Sequence, residues 1–563
     1  MKKTFTPTIV ALSITALLSL LIYACKRPTD GVDLIIKTDV LSKSPTLIEY
    51  TNANPAGTPM PASMAVTVTD PLGVVQTDDG GKKFTAFNGL LPLSLSRFST
   101  PSVNNPVSFT ITPNTLSGFI PVVNTINITS DTATTHTVIP LVEYAHPPSG
   151  TSAMVKNTSL TAGTSALTTL SLPANGTTEA CTITIPAGTQ MKDKNGAVIS
   201  ASTLSSSVVY LGTTQQGAYN SFPGGFNPQN VIGPDGSAIS GGVTFITAGY
   251  ISMNMLAGNT AVKSFSKPII ANIEINSILI NPLTGVKVKA GDVIPVWSYE
   301  ETTGQWKYES TATIIKNANG NLAANISVTH LTGWSLDWYS TACGSSLTVS
   351  VSIPGLNGSI DDYVIFLASA NDQYLGGLFA DNSWSHTVSL FNGFKGIISK
   401  LPAGLGNVKV IVYAKKGDPT SKVTESALFN PCSKGSVAIS FTAPILPDFI
   451  KAHINTVAKC SGKQVVAYPT SWITISDLTV PTAVITTNAH MVNGVIDVKL
   501  ISGHTYSMST SYNGKSFSSG TFKIDRTTNI AIPAGTGLSG TAAYNTTTQV
   551  LNVDAKFVIG TCG

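Results

Sequence analysis

Beyond the first two dozen residues, apolar side chains recur at every second position, and no run carries the 3.6-residue period long enough to make an amphipathic helix. Met64-Ala65-Val66-Thr67-Val68-Thr69, Val107-Ser108-Phe109-Thr110-Ile111, Cys181-Thr182-Ile183-Thr184-Ile185 and Leu347-Thr348-Val349-Ser350-Val351 all alternate in this way. Successive side chains of a strand point to opposite faces, so each run presents one apolar face and one rich in Ser and Thr. Turn residues punctuate the runs, as in Asp70-Pro71-Leu72-Gly73 and Tyr512-Asn513-Gly514-Lys515. The pattern predicts an all-β chain of tandem sandwiches, each sheet wet on one side.

Composition agrees and narrows the partners. Only 11% of residues are charged, against about 25% in an average soluble domain, so the surface is covered by Ser, Thr, Asn and Gly. The formal charge is +4, with no basic field to bind nucleic acid and no block of like charges to meet a polyionic partner. A length of 563 residues exceeds one sandwich core and implies roughly three to five domains.

The amino terminus reads as an export signal. Lys2 and Lys3 lead into an apolar segment from Ile9 to Ile22, which is short for a spanning helix and gives way at once to Lys26-Arg27-Pro28-Thr29-Asp30. Ala24-Cys25 falls where processing would occur and resembles the lipobox of bacterial lipoproteins. The resemblance implies a signal peptide over 1–24, acylation of Cys25 by chains such as palmitate, and a lipidated tether over 25–37. It places the protein in the cell envelope, held to the outer membrane of a Gram-negative organism. More than one acyl chain gives stable anchoring where a single chain does not.

Four globular units are expected. The first spans 38–149 and ends in Tyr144-Ala145-His146-Pro147-Pro148-Ser149-Gly150, which reads as a hinge. The second, larger β-domain spans 150–340. Its Ile185-Pro186-Ala187-Gly188-Thr189, glycine-rich middle, Phe265-Ser266-Lys267-Pro268, Gly291-Asp292, Trp297, Gly304-Gln305-Trp306 and Gly333-Trp334 follow in an order that resembles the β-domain of ankyrins and netrin receptors. The resemblance implies a packing or interaction module. The third unit spans 341–442. The fourth, 443–563, with Val495-Ile496-Asp497-Val498-Lys499-Leu500 and the Ser519-Gly520 turn into Thr521-Phe522, resembles the carboxypeptidase-regulatory-like β-sandwich of bacterial surface proteins. The first unit is similar to it through Asp70-Pro71-Leu72-Gly73. The fold class is therefore tandem immunoglobulin-like or carboxypeptidase-regulatory-like β-sandwiches, and that family usually carries no catalytic residues.

Five cysteines besides Cys25 lie in what would be an oxidising compartment. Cys343 and Cys432 bracket the third unit, and Cys460 and Cys562 the fourth, so each pair is a disulfide candidate; a Cys432 to Cys460 bridge across the hinge is the alternative. Cys181 alternates with Ile183 and Ile185 and reads as a small core hydrophobe, with no neighbouring histidine to activate it. The seven histidines have no metal-ligand spacing, and Asp78-Asp79-Gly80-Gly81 and Asp361-Asp362 offer too few oxygens for calcium. No phosphate-cradling loop, zinc-hydrolase motif or serine elbow occurs. The chain is read as a non-enzyme without cofactor or metal.

Trp297, Tyr299, Trp306, Tyr308, Trp334 and Trp338 concentrate the aromatic residues in the second unit. Cross-strand packing would make them its core; facing solvent, they would make a ligand platform for a sugar. The function expected is extracellular recognition or adhesion, with glycan or protein as partner and the membrane reached through Cys25. A structural stalk of the cell surface is the alternative, and a hydrolase with a hidden site a further one.

Overall fold

The computed structural model describes residues 34–37 and 42–559, apart from 79, 103–104, 115, 301–302, 379–386, 400, 416–418, 462–464, 482–483 and 513–514. Cys25, the signal peptide over 1–24, Cys562 and the Asn513-Gly514 turn lie outside the described residues. Strands dominate what remains, and one short α-helix, Gln216–Asn220, occurs among the described residues. The chain divides into two compact units. One is Ser42–Leu446; the other joins the amino-terminal residues to Pro447–Gly563.

The carboxyl-terminal unit is a two-sheet sandwich. Its larger sheet runs in the order Val465–Tyr468, Phe449–Cys460, Val550–Ile559, Leu538–Asn545, Asn529–Ile532, with Val495–Ile501 also on Phe449–Cys460. The smaller sheet is built on Ser471–Asp477 and Thr505–Tyr512. Period-2 alternation sends Ile450, Ala452, Ile454, Leu551, Val553 and Phe557 inward to meet Ile473, Ile475 and Met508. One strand comes from far away in sequence: Leu34–Lys37 adds to the free edge of Val465–Tyr468 in parallel, Leu34 opposite Val465 and Lys37 opposite Tyr468. The last four residues of the tether expected over 25–37 are strand.

Within Ser42–Leu446, residues 42–141 form an eight-stranded sheet whose two ends carry the Ser42–Asn52/Thr135–Leu141 parallel pair and the Val107–Pro113/Asn124–Ile128 hairpin. Residues 151–340 form a nine-stranded and a six-stranded sheet, and residues 347–440 a five-stranded and a three-stranded one. The stretch read as a hinge is pinned. Glu143 accepts from the Thr58 N–H (2.9 Å), the Thr58 hydroxyl (2.7 Å) and the Asn52 amide (2.8 Å), and pairs with His146 at 3.1 Å. Those donors, Thr58 first, hold the Glu143 carboxyl down to about 2.

The expected boundary at 340/341 does not separate two cores. Strand Ser359–Ser369 reads Tyr363-Val364-Ile365-Phe366-Leu367-Ala368, an unbroken apolar run, and it is buried on both faces. Ile365 and Leu367 point into the sandwich of residues 347–440, while Val364, Phe366 and Ala368 pack toward the nine-stranded sheet with Phe245, Trp297 and Tyr250. The loop after this strand completes the join. Gln373 donates to Phe245 O (2.7 Å) and accepts from the Thr247 N–H (2.9 Å), Asn371 accepts from the Ile280 N–H (3.2 Å), and the Tyr219 hydroxyl donates to Asn371 O (3.4 Å). Thr247 sits at a bulge in Thr244–Ala257, where the ladder to Gly333–Ser340 skips a residue before Gly249. A bulge leaves backbone groups without ladder partners, and the Gln373 amide satisfies them.

Gln373→Ala should expose that dependence. Two buried backbone groups lose their partners at about 1–3 kcal/mol each, so the melting temperature should drop by several degrees, measured by circular dichroism. An unchanged melting curve would show that water replaces the amide.

Candidate functional site

The aromatic concentration is internal. Val293–Glu300 and Gln305–Thr313 pair antiparallel with Tyr299 opposite Trp306 and Trp297 opposite Tyr308. Trp297, Tyr299, Trp306, Trp334 and Trp338 are each 2% exposed or less, and Tyr308 is half-buried. They do not form one surface, because alternation divides them between two layers. Trp334 and Trp338 point between the nine- and six-stranded sheets, whereas Trp297, Tyr299 and Trp306 occupy the opposite face. A solvent-facing platform is excluded for these residues by what covers them.

The cover comes from the glycine-rich middle. Phe222 stacks on Phe226 at 4.3 Å and lies nearly parallel to Trp306 at 5.5 Å, and Phe245 wedges between Trp297 and Trp306 at 5.0 and 5.1 Å. Gly224 lets this cap close: it sits at φ +70°, where a Cβ would come within 2.8 Å of Trp306 Nε1 and 3.0 Å of the Tyr299 ring. The cap was not read from the sequence, although Tyr219, Phe222 and Phe226 crowd among Gly and Pro and supplied the signal. All but one of the polar tips of the buried Trp297, Tyr299, Trp306, Trp334 and Trp338 are bonded inward, Trp306 Nε1 having no hydrogen-bond partner. Trp297 Nε1 donates to Asp337 O (3.1 Å), Trp334 Nε1 to His330 O (3.2 Å), Trp338 Nε1 to Val293 O (3.3 Å) and the Tyr299 hydroxyl to Val123 O (2.8 Å). Gly224→Ala should therefore lift the cap, costing about 1–3 kcal/mol of stability and red-shifting tryptophan emission; an unshifted spectrum would argue that the loop carries no packing.

Asp337 lies on the same face as this aromatic group, fully buried, and its carboxylate oxygens have no hydrogen-bond partner. Of the hydroxyls beside it, Ser335 donates to Gly249 O (3.3 Å), while Thr247 Oγ1 accepts from the Gly249 N–H (3.1 Å) and keeps its own proton to donate. Burial pushes the Asp337 carboxyl up to about 7, with Ser335 and Thr247 pulling weakly the other way. The native state thus holds a proton that the unfolded chain releases near pH 4, so stability falls as pH rises from about 4 to about 7 and stays reduced above. Asp337→Asn should raise stability above pH 7 by up to a few kcal/mol, with the gain vanishing near pH 4 in denaturant titrations at each pH. A gain that is the same at all pH values would remove the titration argument.

Cys343 and Cys432 form a disulfide with Cα atoms 5.8 Å apart, so Cys432 does not bridge to Cys460. Cys460 is itself disulfide-bonded. Cys181 is free and fully buried, and burial, with the charge of Glu274 second, pushes its thiol up to about 12. It is not a nucleophile in this setting. Among the described residues no group of three or more His, Cys, Asp or Glu is placed to hold a metal ion.

Three aromatic positions that sequence reasoning passed over face solvent among the described residues, Phe98, Phe391 and Phe449, the first two more fully than the third. Phe98, in the turn after Leu90–Ser96, is 79% exposed, with the Arg97 guanidinium 4.7 Å from its ring centroid. Phe391 is 49% exposed at the end of Val388–Phe391, edge-on to Phe394 at 5.8 Å across a tight turn into Phe394–Ile398, a strand of the other sheet. Single Phe residues in Ser- and Thr-rich surroundings gave no periodic signal.

No protein family matches the chain, and no curated protein matches it. Solved structures give distant likenesses. The carboxyl-terminal fragment of the pilus adhesin SpaC from Lactobacillus rhamnosus GG aligns at 8% identity over 39% of this chain and 99% of that one, with a TM-score of 0.15. The Bacillus anthracis TIE protein aligns at 11% identity over 72% of this chain and 58% of that one, TM-score 0.12. BcpA, the major pilin subunit of Bacillus cereus, aligns at 9% identity over 92% of this chain and 99% of that one, TM-score 0.13. Scores this low fall short of a shared overall fold and carry nothing about ligand or role.

Proposed function

We propose that this chain is a non-catalytic cell-surface protein of the adhesive type, carried on the envelope by a lipid at Cys25, whose contacts are made by loop tips and sheet edges. The observation that carries the reading is the inward use of Trp297, Tyr299, Trp306, Trp334 and Trp338. A chain that spends Trp297, Trp306, Trp334 and Trp338 on packing gains stiff bodies rather than a stacking groove. Among the described residues its surface is left largely to Ser, Thr and Asn, with Phe98 and Phe391 the most exposed aromatic points a partner can cover. Buried polar groups fit the same role. Asp337 is fully buried, and the Glu143 and Gln373 bonds tie loops down rather than poise them for chemistry.

A glycan partner is the narrower version. It would now rest on Phe98 with Arg97, an exposed ring beside a donor-rich guanidinium, rather than on the buried tryptophans.

The test is an array of glycans and matrix proteins probed with the chain from residue 26 onward. Binding to one ligand class that falls at least tenfold in Phe98→Ala or Phe391→Ala, with unchanged melting temperature, is the expected outcome. Binding lost only in variants that also melt early, or turnover of any arrayed ligand, would count against it.

A further inference from the structure

We propose that the Leu34–Lys37 strand holds the Pro447–Gly563 sandwich against the lipid surface, with the sheet end that carries Lys459, Lys556 and Val558 toward the headgroups. The inference rests on the anchoring reading for Cys25 and adds to it which part of the chain the anchor places there.

The argument begins with chain length. Nine residue steps separate Cys25 from Leu34, and a fully extended chain spans at most about 3.3–3.6 Å per residue, so Leu34 lies no more than roughly 30 Å from the acylated sulfur. Leu34 is in the sheet of the carboxyl-terminal unit, in register with Val465. That sandwich is therefore tied to the anchor through a short segment, although it is encoded more than four hundred residues later.

Register then fixes which end arrives first. Val465–Tyr468 is antiparallel to Phe449–Cys460, with Val466 opposite Lys459, and Phe449–Cys460 is parallel to Val550–Ile559, with Lys459 opposite Val558. Leu34 consequently enters at the end of the sheet where Lys459, Cys460 and Val558 lie. The chain leaves at Lys37 and returns at Phe449, both toward the other end. Lys459 and Lys556 are exposed on the outer face at the arrival end, beside Val558 at 48% exposure. The chemistry suits anionic headgroups with an apolar layer beneath. Charge is distributed accordingly: Pro447–Gly563 carries eight basic against five acidic residues, Ser42–Leu446 twenty against twenty-one, and Lys26-Arg27 follow the cysteine directly.

A depth measurement tests this on the full chain from Cys25. Cys25 is coupled to a maleimide lipid in phosphatidylethanolamine/phosphatidylglycerol vesicles carrying headgroup nitroxides, and a dye is placed by azide chemistry at position 556 or at position 499 near the opposite sheet end. Quenching at 556 should exceed that at 499 at least twofold. It should fall to the level at 499 when about thirty Gly/Ser residues are inserted between Cys25 and Leu34, and also in Ile35→Pro, which breaks the edge pairing. The insertion leaves the strand intact, so it remains informative if Ile35→Pro does not fold. Equal quenching at both positions, or stronger quenching at 499, overturns the placement. The mass of the amino-terminal peptide from envelope fractions is read separately: a peptide without acyl chains overturns the anchoring reading, whatever the vesicles show.

Discussion

The strand Ser359–Ser369 is the member on which the Ser42–Leu446 unit depends, because it is buried on both faces. One face closes the small sandwich of residues 347–440 and the other packs toward the nine-stranded sheet. A strand in that position cannot alternate, and the unbroken Tyr363–Ala368 run is what its two dry faces require. Two sandwiches that would each have a wet outer face are thereby fused into successive layers. The polar cost of fusion falls on the backbone at the Thr247/Gly249 bulge, and it is met by one amide, Gln373, with bonds of 2.7 and 2.9 Å. A hydrophobic contact alone would leave those groups orphaned at a depth water does not reach.

The same layer explains the fate of the tryptophans. Once the nine-stranded sheet is covered on one side by the six-stranded sheet and on the other by Phe222, Phe226 and the Phe366 layer, neither face is left for a ligand to stack upon. Asp337 is caught in this enclosure. It is opposite Thr247 in the ladder, and its backbone carbonyl has a use as acceptor for Trp297 while its carboxylate has none. A protonated acid held at a packed interface is a local weakness, tolerable because the surrounding apolar burial is large.

Much of this was legible in the sequence, and the failures have physical causes. The all-β class followed from period-2 alternation, which is local and needs no tertiary knowledge. Burial of Cys181 followed from its place two and four residues before Ile183 and Ile185, in phase with both. The shared core across 340/341 did not follow, because turn residues mark the ends of strands and say nothing of what a sheet's outer face meets. The run Val364–Ala368 held the clue in its lack of polar positions. The Tyr144–Gly150 segment looked like a hinge by composition, yet Pro and Gly also suit a fixed turn, and the bonds from Thr58 and Asn52 to Glu143 come from residues some ninety positions away. The Phe222 cap was missed for a related reason: glycine permits a loop to close tightly as readily as it permits it to move.

Leu34–Lys37 shows the limit of reading domains as consecutive segments. Four residues beside a presumed tether contain Leu34-Ile35-Ile36, too short a run to demand a sheet on its own, and its partner strand begins at Val465. Parallel pairing requires a long connection, and here the connection is the whole Ser42–Leu446 unit. The carboxyl-terminal sandwich cannot complete this edge until the rest of the chain has been made, since its outermost strand is synthesised first and its centre last. The Val465–Tyr468 edge left open in the interval exposes unpaired backbone groups to any other extended segment, and the early strand covers it with a sequence present in equal amount, becoming the outermost strand in its place. Completion of the sheet therefore waits on the strands made last, so a chain that has not finished folding leaves Leu34–Lys37 without its partner.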